Sequence, residues 1–391
     1  MENEALFSRE IATGYRPEIV SRMVLLVLGA GAAGNNVAQT CAMTGVGEIR
    51  LVDMDVIEPT NAPRSPCFRL ADAGQPKAKV LAECVAEMTY ASEPVVRYAN
   101  ARAETLGLGI FEGVDAILLA FDSIEARAWA TDQARLLRIP LVEIGFDGPL
   151  IHVSTWLNRS AESACFRCLF PQAPQGRASC TLFATRAIES GYLPAIQTAA
   201  AVAANIAVER IIQLLHGDSQ HDAEYFELDV RTGRSSRTIV SRLSRCPGTH
   251  VNLPEPDDVV ELTATVNNVF DIMKSVRAPC VLLPEPFVIT APCIRCGTEL
   301  TLMRPFREAI LPACDRCPNQ PGIGILRITS SIERGNDVLA GVSLATLGFR
   351  SRDLVVVRDD RSDETATLRV DGAIDDLFVR VPSRGSSPPR G

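Results

Sequence analysis

The chain has 391 residues, 47% hydrophobic and 22% charged, which is enough for two domains with packed cores and argues against disorder except at the ends. A net charge of -8 leaves no basic footprint, so no nucleic-acid partner is expected. The acidic start MENEALFSREI lacks the basic region of a signal peptide and no apolar run reads as a membrane span, so no membrane is expected and the chain reads as cytoplasmic.

In that compartment twelve cysteines point to metal binding or catalysis rather than disulfides. Cys41, Cys67, Cys84 and Cys280 sit among apolar or helical residues and read as packing thiols.

Met23 to Leu28 (MVLLVL) predicts a strand buried on both faces of a parallel sheet. It runs into GAGAAG, where Gly29, Gly31 and Gly34 have the G-x-G-x-x-G spacing of a turn that brings phosphates to a helix N-terminus. A second strand, EIRLVD, ends at Asp53, a carboxylate placed to accept ribose hydroxyls. MDVIEPTNAPRSPCF, GQPKAKVLAECV and the apolar strand AILLAF, ending at Asp122, follow. Arg127 and Lys79 read as surface charges.

In their order, the glycine turn, TGVGEIRLVDMDVIEPTNAPR, GQPKA and AFDS resemble the adenylating domain of ubiquitin-activating (E1) enzymes and bacterial sulfur-carrier activators (ThiF, MoeB and HesA type). The resemblance implies an α/β, Rossmann-like adenylation domain with a mostly parallel sheet over residues 1–252. It also implies MgATP as the nucleotide, with Asp53 on the ribose, Asn61, Arg64 and Lys77 on the phosphates and Asp122 on Mg2+. Arg9, in LFSREI, would reach into a partner subunit's site, which implies a homodimer. Cys180, flanked by Arg177 and Arg186 on a crossover segment before a long small-residue helix, would capture the acyl group as a thioester.

Cys165 and Cys168 would supply half of a structural Zn2+ site, completed in the resemblance by a distant second pair. Here that half reads RCPGTH: position 249 is Thr, a departure from the family's second C-x-x-C, so Cys246 and His250 are the expected ligands.

Past LPEPDD, residues 253–382 are expected to form a zinc-ribbon and small β-rich module. PCIRCG and PACDRC place Cys293, Cys296, Cys314 and Cys317 in C-x2-C-x17-C-x2-C spacing, a zinc-ribbon signal. ILRITSSI and DLVVVRD read as strands separated by the short piece SLATLGF, and residues 383–391 as a disordered tail.

The expected function is adenylation of the C-terminal carboxylate of a small ubiquitin-like carrier protein, capture on Cys180 and transfer to an E2-like conjugating enzyme, as in bacterial ubiquitination-like operons used against phage. Activation of a sulfur carrier, adenylation of a small carboxylate or in tRNA modification, and a catalytically silent nucleotide-binding scaffold remain open alternatives.

Overall fold

The computed structural model describes residues 5–91, 93–171, 196–218, 221–248, 250, 259–262, 265–276, 280–306, 314–317, 326–359 and 364–382. They fall into two units: Met1–Glu104 with Gly113–Asn252 and Phe378–Gly391, and Thr105–Glu112 with Leu253–Leu377.

In the first unit, β1 (Val24–Leu28) has Leu25 to Leu28 at 0% exposure, the burial that its unbroken apolar run predicts. Helix α1 (Ala32–Met43), β2 (Glu48–Val52), α2 (Lys77–Ala86), β3 (Val95–Ala99), β4 (Ala116–Leu119), α3 (Ile124–Leu136) and β5 (Leu141–Asp147) follow in alternation. The strands pair in parallel in the order β3-β2-β1-β4-β5, with Val24 opposite Glu48 and Leu25 opposite Ala116. The order reverses beside β1, the switch point at which sheets of this kind leave a crevice beyond the carboxyl ends of the strands.

Beyond β5 the sheet continues antiparallel through β6 (Leu150–Trp156), β7 (Ala223–Asp229) and β8 (Ser235–Ile239). Between β6 and β7 runs α4 (Gln197–His216), whose small buried face, including Ala199, Ala203, Ala204 and Ala207, lies against the core. It stops at Gly217, left-handed at φ 81°, as a helix-ending glycine can be without strain. Among the described residues α4 is long and apolar enough to cross a membrane, which corrects the expectation that no such run exists. Its isoleucines, valines and leucines carry most of the hydropathy, and the helix packs on α1 and β5.

The second unit is built on β9 (Val260–Glu261), α5 (Val269–Val276), β10 (Cys280–Pro292), β11 (Glu299–Pro305), β12 (Arg327–Glu333), β13 (Leu354–Asp359) and β14 (Glu364–Arg369). These strands form a sheet of order β11-β10-β13-β14-β9, with β12 also paired to β10. Phe287, Ile332, Leu347, Val355 and Leu368 fill its core.

Two segments depart from a boundary at residue 252. Residues Thr105–Glu112 belong with the second unit, where the Leu108 amide donates to Asp353 at 2.6 Å. The last strand, β15 (Val379–Val381), pairs antiparallel with β3 and so belongs to the first unit, although its sequence position assigns it to the second module.

Candidate functional site

The three glycines of the first turn answer to different demands. Gly29 has φ 102°, and a Cβ there would stand 2.8 Å from the Ala120 carbonyl oxygen, so both conformation and space require glycine. A Cβ on Gly34 would stand 1.8 Å from the Gly29 carbonyl oxygen, so the third glycine lets α1 press against the turn. Gly31 caps α1, and a Cβ there would meet nothing within 4 Å. Packing among the described residues does not explain Gly31, which leaves the N-terminus of α1 open to approach.

Gly29, Gly31, Asp53, Asn61, Arg64, Lys77 and Asp122 line one cavity of about 410 Å³ at this crevice. Asp53 Oδ2 accepts the Ala30 amide at 2.6 Å and Oδ1 accepts the Asp55 amide at 2.8 Å, so the carboxylate pins the glycine turn to the end of β2. Burial raises its pKa, opposed by those two amides and by Lys77. Each oxygen keeps a second lone pair for a hydroxyl donor. Asn61, 7% exposed, accepts the Glu58 amide and shapes the 3-10 turn Pro59–Arg64. Arg64 donates Nη1 to the Thr60 carbonyl at 2.7 Å. Lys77, at the first position of α2, is paired with Asp55 at 2.9 Å. Asp122 is exposed on the cavity wall and makes no hydrogen bond or ion pair among the described residues.

Of the other expected residues, Arg9 is exposed on the short helix Ser8–Ile11 and is not among those lining the cavity. Cys180, Arg177 and Arg186 lie outside the described residues.

The ligand atoms of Cys165, Cys168, Cys246 and His250 lie within 4.8 Å of one another. His250 Nε2 stands 3.5 Å from both Cys165 Sγ and Cys168 Sγ, while its Nδ1 lies 3.1 Å from the Ala161 carbonyl, which fixes the ring with Nε2 toward the sulfurs. The amides of Leu243 and Gly248 donate to Cys168 Sγ at 3.4 Å and Cys246 Sγ at 3.3 Å; against burial the Cys168 thiol is drawn down, whereas burial keeps that of Cys246 raised. Arg135, 0% exposed, donates to the Ser160 and Ala161 carbonyls of the adjoining turn. Such a closed donor set, three thiolates and one imidazole, fits Zn2+. Cys293, Cys296, Cys314 and Cys317 of the second unit also lie within 4.8 Å of one another, an all-thiolate set of the same preference.

Two expectations need correction. Cys67 and Cys84, read as packing thiols, are joined as a disulfide with Cα atoms 5.8 Å apart. It links the segment after Arg64 to α2, whose N-terminus carries Lys77; nothing in two isolated apolar contexts signals the pairing. Arg127 is no surface charge. Its side chain is 14% exposed, lines the cavity and pairs at 2.8 Å with Glu143, which is 1% exposed. Sequence reasoning also passed over Asp55, although a second carboxylate two positions after Asp53 was a usable signal.

The model of the ThiF family matches residues 13–248. SUMO-activating enzyme subunit 2 of Dictyostelium discoideum is 28% identical over 158 residues, which are 40% of this chain and 24% of that protein. Sulfur carrier protein adenylyltransferase of Thermus thermophilus is 30% identical over 238 residues, 59% of this chain and 83% of that protein. The chain therefore spans about a quarter of the former relative and most of the latter. Among solved structures, MccB of E. coli matches with a TM-score of 0.50 and 19% identity over 59% of this chain and 68% of its own, a likeness of fold.

Proposed function

Because the chain belongs to the ThiF family, we propose that its first unit is an E1-like, ATP-dependent adenylyltransferase that activates the C-terminal carboxylate of a small ubiquitin-like protein. The observation that carries this reading is one cavity lined by Gly31, Asp53, Arg64, Lys77 and Asp122 at the switch point of the sheet.

A carboxylate oxygen attacks the α-phosphorus of ATP, the bond to the β-phosphate breaks, and pyrophosphate leaves an acyl-adenylate behind. No base is needed, since a carboxylate is already ionised at neutral pH. Catalysis then rests on positioning and charge neutralisation. Asp53 holds the ribose, the α1 N-terminus at Gly31 receives phosphate, and Asn61, Arg64 and Lys77 meet the triphosphate. Lys77 exchanges Asp55 for phosphate; that carboxylate is 51% exposed, so releasing it to water costs little. Asp122, without a hydrogen bond or ion pair among the described residues, would hold Mg2+, which supplies further charge neutralisation on the phosphates. Cys180 thiolate then attacks the acyl carbonyl and AMP departs, giving a thioester for an E2-like acceptor. Arg9 completes the site in a homodimer, and both cysteine clusters hold structural Zn2+.

Carrier-dependent ATP–pyrophosphate exchange tests the adenylation step. Cys180→Ala is expected to keep exchange and to lose the reducible thioester; a thioester that survives removes Cys180 from the reading. ATP binding without exchange, with every carrier and small acid offered, would favour a nucleotide-binding scaffold.

A second reading, activation of a sulfur carrier, is supported by the 83% coverage of the Thermus thermophilus relative. Exchange that is unaffected by Cys180→Ala, with thiocarboxylate formed on the carrier when a sulfur donor is supplied, would favour it.

A further inference from the structure

Asp122 makes no hydrogen bond of its own among the described residues, in a turn held at its two ends by the Ala120 amide on the Leu28 carbonyl at 2.8 Å and the Arg127 amide on the Ser123 carbonyl at 3.0 Å. The turn links the end of β4, at Leu119, to α3, whose cap Ser123 accepts the Ala126 amide at 3.4 Å. What holds the peptide just before Asp122 is Arg127: its Nε donates to the Phe121 carbonyl at 2.6 Å. The same guanidinium gives Nη1 to Glu143 Oε1 at 2.8 Å.

Glu143 sits on β5, opposite Ser154 of β6 and beside Leu119 of β4, so the sheet fixes its position. It is 1% exposed, and its Oε2 has no hydrogen-bond partner among the described residues, as is also true of Ser154 Oγ beside it. Burying this carboxylate with half its acceptors unmet costs several kcal/mol, and a buried ion pair seldom repays that in stability. The surroundings also make room for the pair: a Cβ on Gly145 would stand 2.9 Å from Arg127 Nη1 and 2.1 Å from the His152 ring.

We infer that Arg127 and Glu143 are positioning residues that hold the Phe121–Asp122 peptide where Asp122 meets the metal of the bound nucleotide. The inference deepens the adenylation reading and rests on it for the role of Asp122. Arg127 acts through two fixed acceptors, one on the turn and one on the sheet, so the turn is tied to β5. Remove either end and Asp122 is free to drift by the ångström that matters for a metal ligand. Outer-shell partners of this kind are typically worth about ten- to a hundredfold in metal affinity.

Two readouts test it on the full chain. The first is the Mg2+ concentration giving half-maximal carrier-dependent pyrophosphate exchange. The second, independent of turnover, is the affinity for Mn2+ in the presence of adenylyl-imidodiphosphate. Arg127→Met and Glu143→Gln are expected to weaken both by about tenfold or more. Arg127→Lys keeps the charge opposite Glu143 but cannot also hold the Phe121 carbonyl, so it is expected to recover thermal stability without recovering metal affinity. Asp132→Asn, which breaks the 3.2 Å pair of α3 with Arg167, is expected to leave both readouts at wild-type values. If Arg127→Met does not fold, Glu143→Gln and Arg127→Lys carry the test. Wild-type metal affinity in these variants, or its full recovery by lysine, overturns the inference. Absence of exchange in the wild-type chain would instead sink the adenylation reading, and Mn2+ binding would still decide the positioning role.

Discussion

The two cysteine clusters use the same C-x-x-C element and differ in what they tie together. Cys165 and Cys246 are 81 positions apart and join the turn after β6 to the chain returning from β8, whereas Cys296 and Cys314 are only 18 positions apart and staple a local pair of turns. Loop length separates them by only about 1 kcal/mol, since closure entropy grows as the logarithm of the loop. Each holds two buried cysteines, Cys165 and Cys168 in the first and Cys293 and Cys314 in the second, so the difference in burial lies in single ligands. Cys165 and Cys168 are buried beside the fully buried Arg135, while Cys296 is exposed and its thiol is pulled down to about 6 by the Thr298 hydroxyl and amide. The same C-x-x-C element thus has both of its thiols buried in one unit and one of two exposed in the other.

Breaking the first cluster should have the largest effect. Cys165→Ser is expected to lose one bound metal and with it stability on the order of 10 kcal/mol, the scale of a structural zinc site. Metal analysis and tryptophan fluorescence check this, because both tryptophans, Trp129 and Trp156, lie in the first unit. Cys317→Ser is expected to lose the other metal and leave the fluorescence transition within about 1 kcal/mol of wild type. Equal shifts in the two variants would erase the distinction.

The same contrast holds for the buried titratable groups, which have opposite signs. His152, stacked on Tyr225 at 5.7 Å, is pushed down to about 3 by burial and then by the Arg127 charge. The unfolded chain therefore binds the proton first, so the contribution of His152 is complete above pH 6.5 and is lost as pH falls toward 3. The shift corresponds to about 5 kcal/mol. His152→Phe is expected to flatten that acid limb in fluorescence-monitored urea melts; an unchanged limb would show that other groups govern it.

In the second unit Asp353, 0% exposed, is raised to about 6 by burial, against the amides of Leu108, Leu354 and Arg350. Here the folded chain binds the proton first, so stability is greatest below pH 3.8 and falls as pH rises through about 6, by about 3 kcal/mol. Hydrogen exchange of β13 and β14 between pH 4 and pH 7, corrected for intrinsic rates, should show opening favoured toward neutral pH. Asp353→Asn should abolish that slope, and a slope that persists would remove Asp353 as its source.

Much of the cavity was readable in the sequence because its parts follow local rules. A glycine turn needs Gly29 and Gly34 whatever lies far away, and strand ends deliver Asp53 and Asp122 to one edge of a parallel sheet. Arg127 and Glu143 were not readable. An arginine four residues into a polar helix has the pattern of a solvated charge, and only the packing of α3 over β5 buries it against a carboxylate.

By itself, then, the sequence determined the alternation of strand and helix, the glycine turn and the chelate spacings, all governed by periodicity, backbone conformation and bond reach over a few residues. Tertiary structure alone decided which segments meet: the disulfide of Cys67 with Cys84 over 17 positions and, across long separations, the pairing of β15 with β3 and the seating of 105–112 in the second unit. These depend on which surfaces come to lie side by side when two cores are buried, and no window of neighbouring residues encodes that.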